Sequence, residues 1–172
     1  MVTIRQAESK EDIAEMRALF EEYARSLSID LGFQGFDEEV AGLPGDYSRP
    51  TGCLLFAKSG NRSVGCVAVR RLDADMCEMK RLFVRPEARG EGVGRALAEA
   101  AVAFGRAAGY RAMRLDTLAT MVAALALYRE LGFREVPPYR YNPVPGALFM
   151  EITLGSDTPR TETHPSMRAG GG

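Results

Sequence analysis

Residues 2–7, Val-Thr-Ile-Arg-Gln-Ala, alternate apolar and polar, the period of a short strand. The period then changes: Ile13, Met16, Leu19, Phe20, Tyr23 and Leu27 recur at spacings of three and four, with Glu15, Glu21 and Glu22 off that face. That pattern predicts an amphipathic helix, and Ser9, three residues before Asp12, supplies its N-cap. Gly32 and Gly35 interrupt, residues 36–40 suggest a second, short helix, and residues 43–50 carry turn chemistry without a period. Apolar runs over 53–58, 64–70 and 76–84, joined by turns at 59–62 and 70–75, predict an antiparallel meander. A helix rich in alanine and leucine runs from Gly94 to about Ala108 and is closed by Gly109. A strand at 110–115, a helix at 121–131 ending at Gly132, and strands at 133–136 and 147–154 complete the order. The strand–helix–strand link across residues 85–109 makes the fourth and fifth strands parallel. From Gly155 onward the chain is Gly, Ser, Thr, Pro and charge, so a domain over 1–154 is expected to be followed by a disordered tail over 155–172.

Composition narrows the partners. The 172 residues carry a formal net charge of −1, without the basic excess that nucleic acid would demand. No apolar run reaches the length of a membrane span and the first residues lack an apolar leader, so a cytoplasmic location is expected. Cys53, Cys66 and Cys77 form no CxxC pair and lie in or beside apolar runs, where they read as small buried hydrophobes. The one histidine, His164, falls in the tail, which argues against a metal site or a His-based triad.

The densest chemistry lies between Glu78 and Gly94. A strand bounded by Pro86 leads into the glycine-rich turn Arg89-Gly90-Glu91-Gly92-Val93-Gly94, and a helix follows at once. Glycines let the backbone approach a ligand, and the unpaired N–H groups of a helix N-terminus attract anions. A phosphate-bearing molecule is expected here; the bland alternative is a turn that only lets the helix lie on the sheet.

The element order, together with Arg89-x-x-Gly92-x-Gly94 after the fourth strand and Leu127-Tyr128-Arg129-Glu130-Leu131-Gly132-Phe133 near the sixth, resembles the GNAT superfamily of N-acetyltransferases. The likeness spans about residues 2–154. It implies a mixed α/β (α+β) domain whose central sheet is mostly antiparallel, with a splayed parallel pair formed by the fourth and fifth strands and helices on its flanks. It also implies acetyl-CoA as co-substrate, without a metal. By that resemblance the backbone amides of Arg89, Gly90, Gly92, Val93, Gly94 and Arg95 hold the pyrophosphate, and the backbone of Leu82, Phe83 and Val84 holds pantetheine. Arg89 and Arg95 could add charge-assisted bonds. Many relatives have Asn where this chain has Met121, which puts one donor contact in doubt.

An alkylamine with a pKa near ~10 must lose a proton before attacking a thioester, and the leaving thiolate must gain one. The resemblance aligns Tyr128 with the family's acid and Glu78 with the base of one branch. A core tyrosine, and a structural ion pair of Glu78 with Lys80 or Arg81, are the alternatives, and water could act as base. In a regular strand Glu78 shares a face with Lys80, Leu82 and Val84, where a half-buried carboxyl would have a raised pKa. Phe33, Phe36, Tyr47, Asp116, Tyr139, Arg140 and Tyr141 are candidates for the acceptor pocket. The expected activity is acetyl transfer to a primary amine of a small molecule or peptide, by direct attack in a ternary complex. The alternative is an acyl-CoA-binding sensor without catalysis. Expected partners are that acceptor, without nucleic acid or membrane; a homodimer is left open.

Overall fold

The computed structural model describes residues 1–155; the rest of the tail expected to be disordered, His164 included, lies outside the described residues. Strands β1 (Val2–Gln6), β2 (Cys53–Ser59), β3 (Arg62–Arg71), β4 (Met76–Val84), β5 (Ala112–Leu118), β6 (Arg134–Val136) and β7 (Ala147–Thr153) form one sheet in the order β1-β2-β3-β4-β5-β7-β6. Among the described residues only β4 and β5 are parallel; the other neighbours are antiparallel. Helices α1 (Lys10–Leu27) and α2 (Phe36–Ala41) cover one face, and α3 (Val93–Ala107) and α4 (Val122–Leu131) cover the other. This is the mixed, mostly antiparallel architecture expected from the sequence.

Each face has its own apolar cluster. On the α1 side, Met16, Leu19 and Phe20 are fully buried against Leu54, Phe56, Cys66 and Ala68 of the sheet. Burying each large side chain of that kind contributes roughly 1.5–3 kcal/mol. On the α3 side, Ala98 and Ala101 let the helix lie close over β2–β4 beside the fully buried Leu97. The N-terminus of α1 is set by a reciprocal capping box: Ser9 Oγ accepts from the Asp12 amide at 3.0 Å, and Asp12 accepts from the Ser9 amide at 3.2 Å.

The fifth strand begins two residues later than its apolar run suggested. Tyr110 is not a strand residue; it is buried, and its hydroxyl donates to the Thr51 carbonyl at 2.6 Å. The three cysteines are buried and unpaired, and burial pushes the thiols of Cys53 and Cys77 up to about 12, so they stay protonated and inert. Among the described residues, no helix is long and apolar enough to cross a membrane.

Candidate active site

The parallel pairing of β4 with β5 is short. It runs only from Met76 opposite Ala112 to Glu78 opposite Arg114. Among the described residues, β4 then has no strand partner on that side from Met79 to Val84, while β5 continues along β7. The two strands part into a cleft whose lining includes Tyr23, Phe33, Lys80, Leu82, Asp116 and Tyr128. Backbone groups on the bare edge of a strand are open to a ligand running alongside it.

A bulge in β4 bends the strand where the cleft opens. Cys66 pairs with Phe83 and Ala68 with Lys80, so Arg81 and Leu82 together oppose Val67, and Arg81 takes a left-handed φ of 60°. The extra residue reverses the side-chain alternation. Cys77 and Met79, then Leu82 and Val84, join the α3-side cluster, whereas Lys80 and Arg81 reach Gln34 and Glu39 on the other side, where Phe83 also lies. Glu78 therefore shares a face with Lys80 but not with Leu82 or Val84, which corrects the regular-strand expectation.

At the far end of β4 the chain enters the glycine turn. Gly90 and Gly92 have φ of 83° and 79°, values that favour glycine, and a Cβ at either would meet nothing within 4 Å. Here glycine serves conformation and leaves open space, not close packing. Gly92 is the N-cap of α3; among the described residues no side chain caps that end, and its first turn holds no acidic residue. The leading amides of a 15-residue helix, with about half a positive charge, are thus left for an anion. Arg89 Nε donates to the Val84 carbonyl at 3.0 Å, and Arg95 pairs with Glu130 and Glu99.

Gly132, with φ of 105°, ends α4 and turns the chain so that the Phe133 amide donates to the Tyr128 carbonyl at 3.0 Å. Phe133 then meets the Tyr128 ring edge-to-face, with centroids 5.7 Å apart. Tyr128 lines the cleft, and burial raises its phenol pKa, keeping it protonated at neutral pH. Met121 is the N-cap residue of α4, where its sulfur accepts from the Thr117 hydroxyl at 3.7 Å.

Glu78 is fully buried. It accepts from Arg70 Nε at 3.0 Å and from the Tyr139 hydroxyl at 2.7 Å, and it pairs with Arg140; Lys80 Nζ stands at 3.9 Å. Burial raises its pKa, but Lys80, Arg140 and Arg70, helped by the Tyr139 hydroxyl, outweigh that and hold the carboxyl below the usual glutamate value. This reverses the raised pKa expected from sequence. Arg81 pairs with Glu39 instead, through two bonds of 2.9 and 3.1 Å, and also donates to Gln34 at 2.8 Å. Lys80 shows the opposite balance. Burial, reinforced by Arg81, outweighs Glu78 and lowers the ammonium to about 8.

Of the acceptor-pocket candidates, Phe33 and Asp116 line the cleft. Asp116 accepts from Asn142 Nδ2 at 3.0 Å, and Asn142 in turn accepts from the Val144 amide, fixing the loop before β7. Tyr139 and Arg140 lie behind the cleft on Glu78. Phe36 is buried under Arg81, and Tyr47 is buried edge-on against Phe20, so neither reaches the cleft. Tyr141 is exposed. Sequence reasoning missed Tyr23, Gln34, Lys80 and Asn142 in the lining. The one signal available was the pair Lys80-Arg81 inside a strand otherwise read as buried.

The family model described as "Acetyltransferase (GNAT) family" matches residues 14–133. An uncharacterized N-acetyltransferase of Schizosaccharomyces pombe is 36% identical over 155 residues, covering 89% of this chain and 95% of the relative. A GNAT-family acetyltransferase of Staphylococcus aureus has a similar fold, with a TM-score of 0.74 at 19% identity over 90% of this chain and 100% of the other. A putative acetyltransferase of Salmonella typhimurium, solved with its cofactor acetyl-CoA, superposes with a TM-score of 0.68 at 18% identity, over 92% and 97% of the two chains.

Proposed function

The chain belongs to the GNAT acetyltransferase family, and from that premise we propose that it transfers the acetyl group of acetyl-CoA to a primary amine of a small molecule or peptide by direct attack. One observation carries the reading. The bare edge of β4, from Met79 to Val84, ends at an uncapped helix N-terminus and opens on a cleft that also holds Tyr128.

In this reading the backbone of Leu82, Phe83 and Val84 receives pantetheine as an added strand would be received. The amides of the 89–95 turn receive the pyrophosphate. Acetyl-CoA supplies an activated thioester. The neutral amine nitrogen forms a bond to the acetyl carbon as the carbon–sulfur bond breaks, the Tyr128 hydroxyl gives its proton to the departing sulfur, and the proton still carried by the new amide nitrogen returns, through water, to the Tyr128 oxygen. Glu78 lies outside the cleft lining, and its held-down pKa makes it a weak base. We assign it the role of anchoring Tyr139 and Arg140 to β4. The ammonium enters beside Asp116 and loses its proton to water.

The test is thiol release from acetyl-CoA against amines, amino acids, aminoglycosides and peptides, with binding followed by calorimetry. Release dependent on an acceptor is expected. Tight binding without release from any acceptor would favour the non-catalytic sensor, and absence of binding would overturn the donor site.

A further inference from the structure

Resting on the acetyltransferase reading of this cleft, we propose that the acceptor is a primary amine bearing its own carboxylate, an apolar α-amino acid, held with its carboxylate on Lys80 and its ammonium on Asp116. The first ground is charge. Around Glu78 the α1-side face of the sheet gathers Arg70, Lys80, Arg81 and Arg140, and among the described residues the carboxylates paired with these four are Glu39, Glu78 and, at 3.8 Å, the exposed Asp46. Cations withdrawn from water need an anion nearby, so the cluster is short of negative charge.

The second ground is which cation can still bind. Arg81 spends its guanidinium on Glu39 and Gln34, Arg140 pairs with Glu78, and Arg70 pairs with Glu78 and, at 3.8 Å, with Asp46. Of the two that line the cleft, Arg81 has its charge matched by Glu39 through two bonds, whereas no carboxylate among the described residues lies within hydrogen-bond range of Lys80 Nζ. Its ammonium has three donors; Gln34 Oε1 takes one at 3.3 Å, and the Glu78 carboxylate at 3.9 Å is beyond hydrogen-bond range. Its side chain is 3% exposed, so an anion there would be held in a dry setting where charge-assisted bonds are strong.

The third ground is polarity. Asp116, on β5, lines the same cleft, and its bond to Asn142 involves Oδ2, leaving Oδ1 outside that contact. A carboxylate on β5 and an ammonium on β4 match a zwitterion laid across the gap. Leu27, Leu31, Phe33 and Met121 line the same cleft and offer apolar surface for a side chain. A plain alkylamine would satisfy Asp116 and leave Lys80 unmatched.

The experiment compares kcat/KM for thiol release with leucine, methionine and phenylalanine against the primary amides of the same three. The free acids should be preferred by about tenfold or more, as for a hydrogen bond to a charged group. Lys80→Met should collapse the acid-to-amide ratio towards one, with folding checked by thermal melting. In the unaltered protein, isocaproate should compete with leucine and isocaproamide should not. Equal rates on acids and amides, a ratio untouched by Lys80→Met, or no competition by isocaproate would overturn the assignment. Acetyl-CoA that binds by calorimetry, with release from neither series, would also overturn it while leaving the donor site standing. Failure to bind acetyl-CoA would instead bring down the parent reading, and this one with it.

Discussion

The two ends of the β4–β5 cleft are built from different material. At the α3 end, the proposed donor-binding groups are backbone amides, set out by the positive φ of Gly90 and Gly92 and by a helix start that no side chain of the described residues caps. At the other end the polar groups are side chains from β3, β4, α2, the turn before α2 and the loop after β6, converging on Glu78, Lys80 and Arg81. A backbone site recognises what every acyl-CoA shares. A side-chain site can be re-cut one residue at a time, and that is where we propose acceptor choice resides.

The largest expected effect is at the donor end. Gly92→Val places a β-branched residue at φ 79° and fills the space where the phosphates are proposed to lie. Acetyl-CoA affinity by calorimetry should fall about a hundredfold or more, the value of two lost charge-assisted bonds. An unchanged affinity would mean that the turn does not hold the phosphates.

At the acceptor end, Glu78→Gln should act on stability. It leaves Arg70, Lys80 and Arg140 around a neutral amide, and breaking a buried pair in this way costs about 3–5 kcal/mol. Urea denaturation should show that loss, with acetyl-CoA affinity within a few-fold of the original. A stable variant that has lost turnover would restore Glu78 as the base.

Tyr128→Phe removes the proposed acid and keeps the ring against Phe133. Turnover should fall about a hundredfold, the lower end of general acid catalysis, and donor affinity should hardly move. Equal losses in both would make the tyrosine a packing residue.

The smallest effect is in pH. Lys80 sits at about 8 in the folded protein, with Glu78, Arg70, Arg81 and Arg140 around it, against an ordinary value of 10.5. Between those values the unfolded chain holds the proton more tightly. This group's contribution to stability is therefore full above about 10.5 and is lost as pH falls through about 8. The ammonium itself disappears above about 8, so the preference for free acids over amides should shrink there. A ratio flat from neutral pH to well above that value would separate Lys80 from carboxylate recognition.

The same contrast explains what the sequence could reveal. Gly92 and Gly132 announce themselves because a positive φ leaves few alternatives to glycine, and the strand and helix periods place them at element ends. Architecture followed from those periods, and only the boundaries slipped, as where Tyr110 left the strand to anchor on Thr51. The bulge at Arg81 had no local signature, so the faces of Leu82 and Val84 were read one step out of phase. Lys80, Gln34 and Asn142 come from three separate elements, and their meeting in one cleft is a tertiary fact that no spacing encodes. Aromatic type misled at Phe36 and Tyr47, where burial in the core took precedence over the cleft.

Amide hydrogen exchange with saturating acetyl-CoA tests the donor assignment most directly, because it reads the backbone groups in question. Protection is predicted at residues 82–84 and 90–95 together, with little change at Glu78 and Lys80. Exchange at both segments unaltered by bound acetyl-CoA would contradict the account.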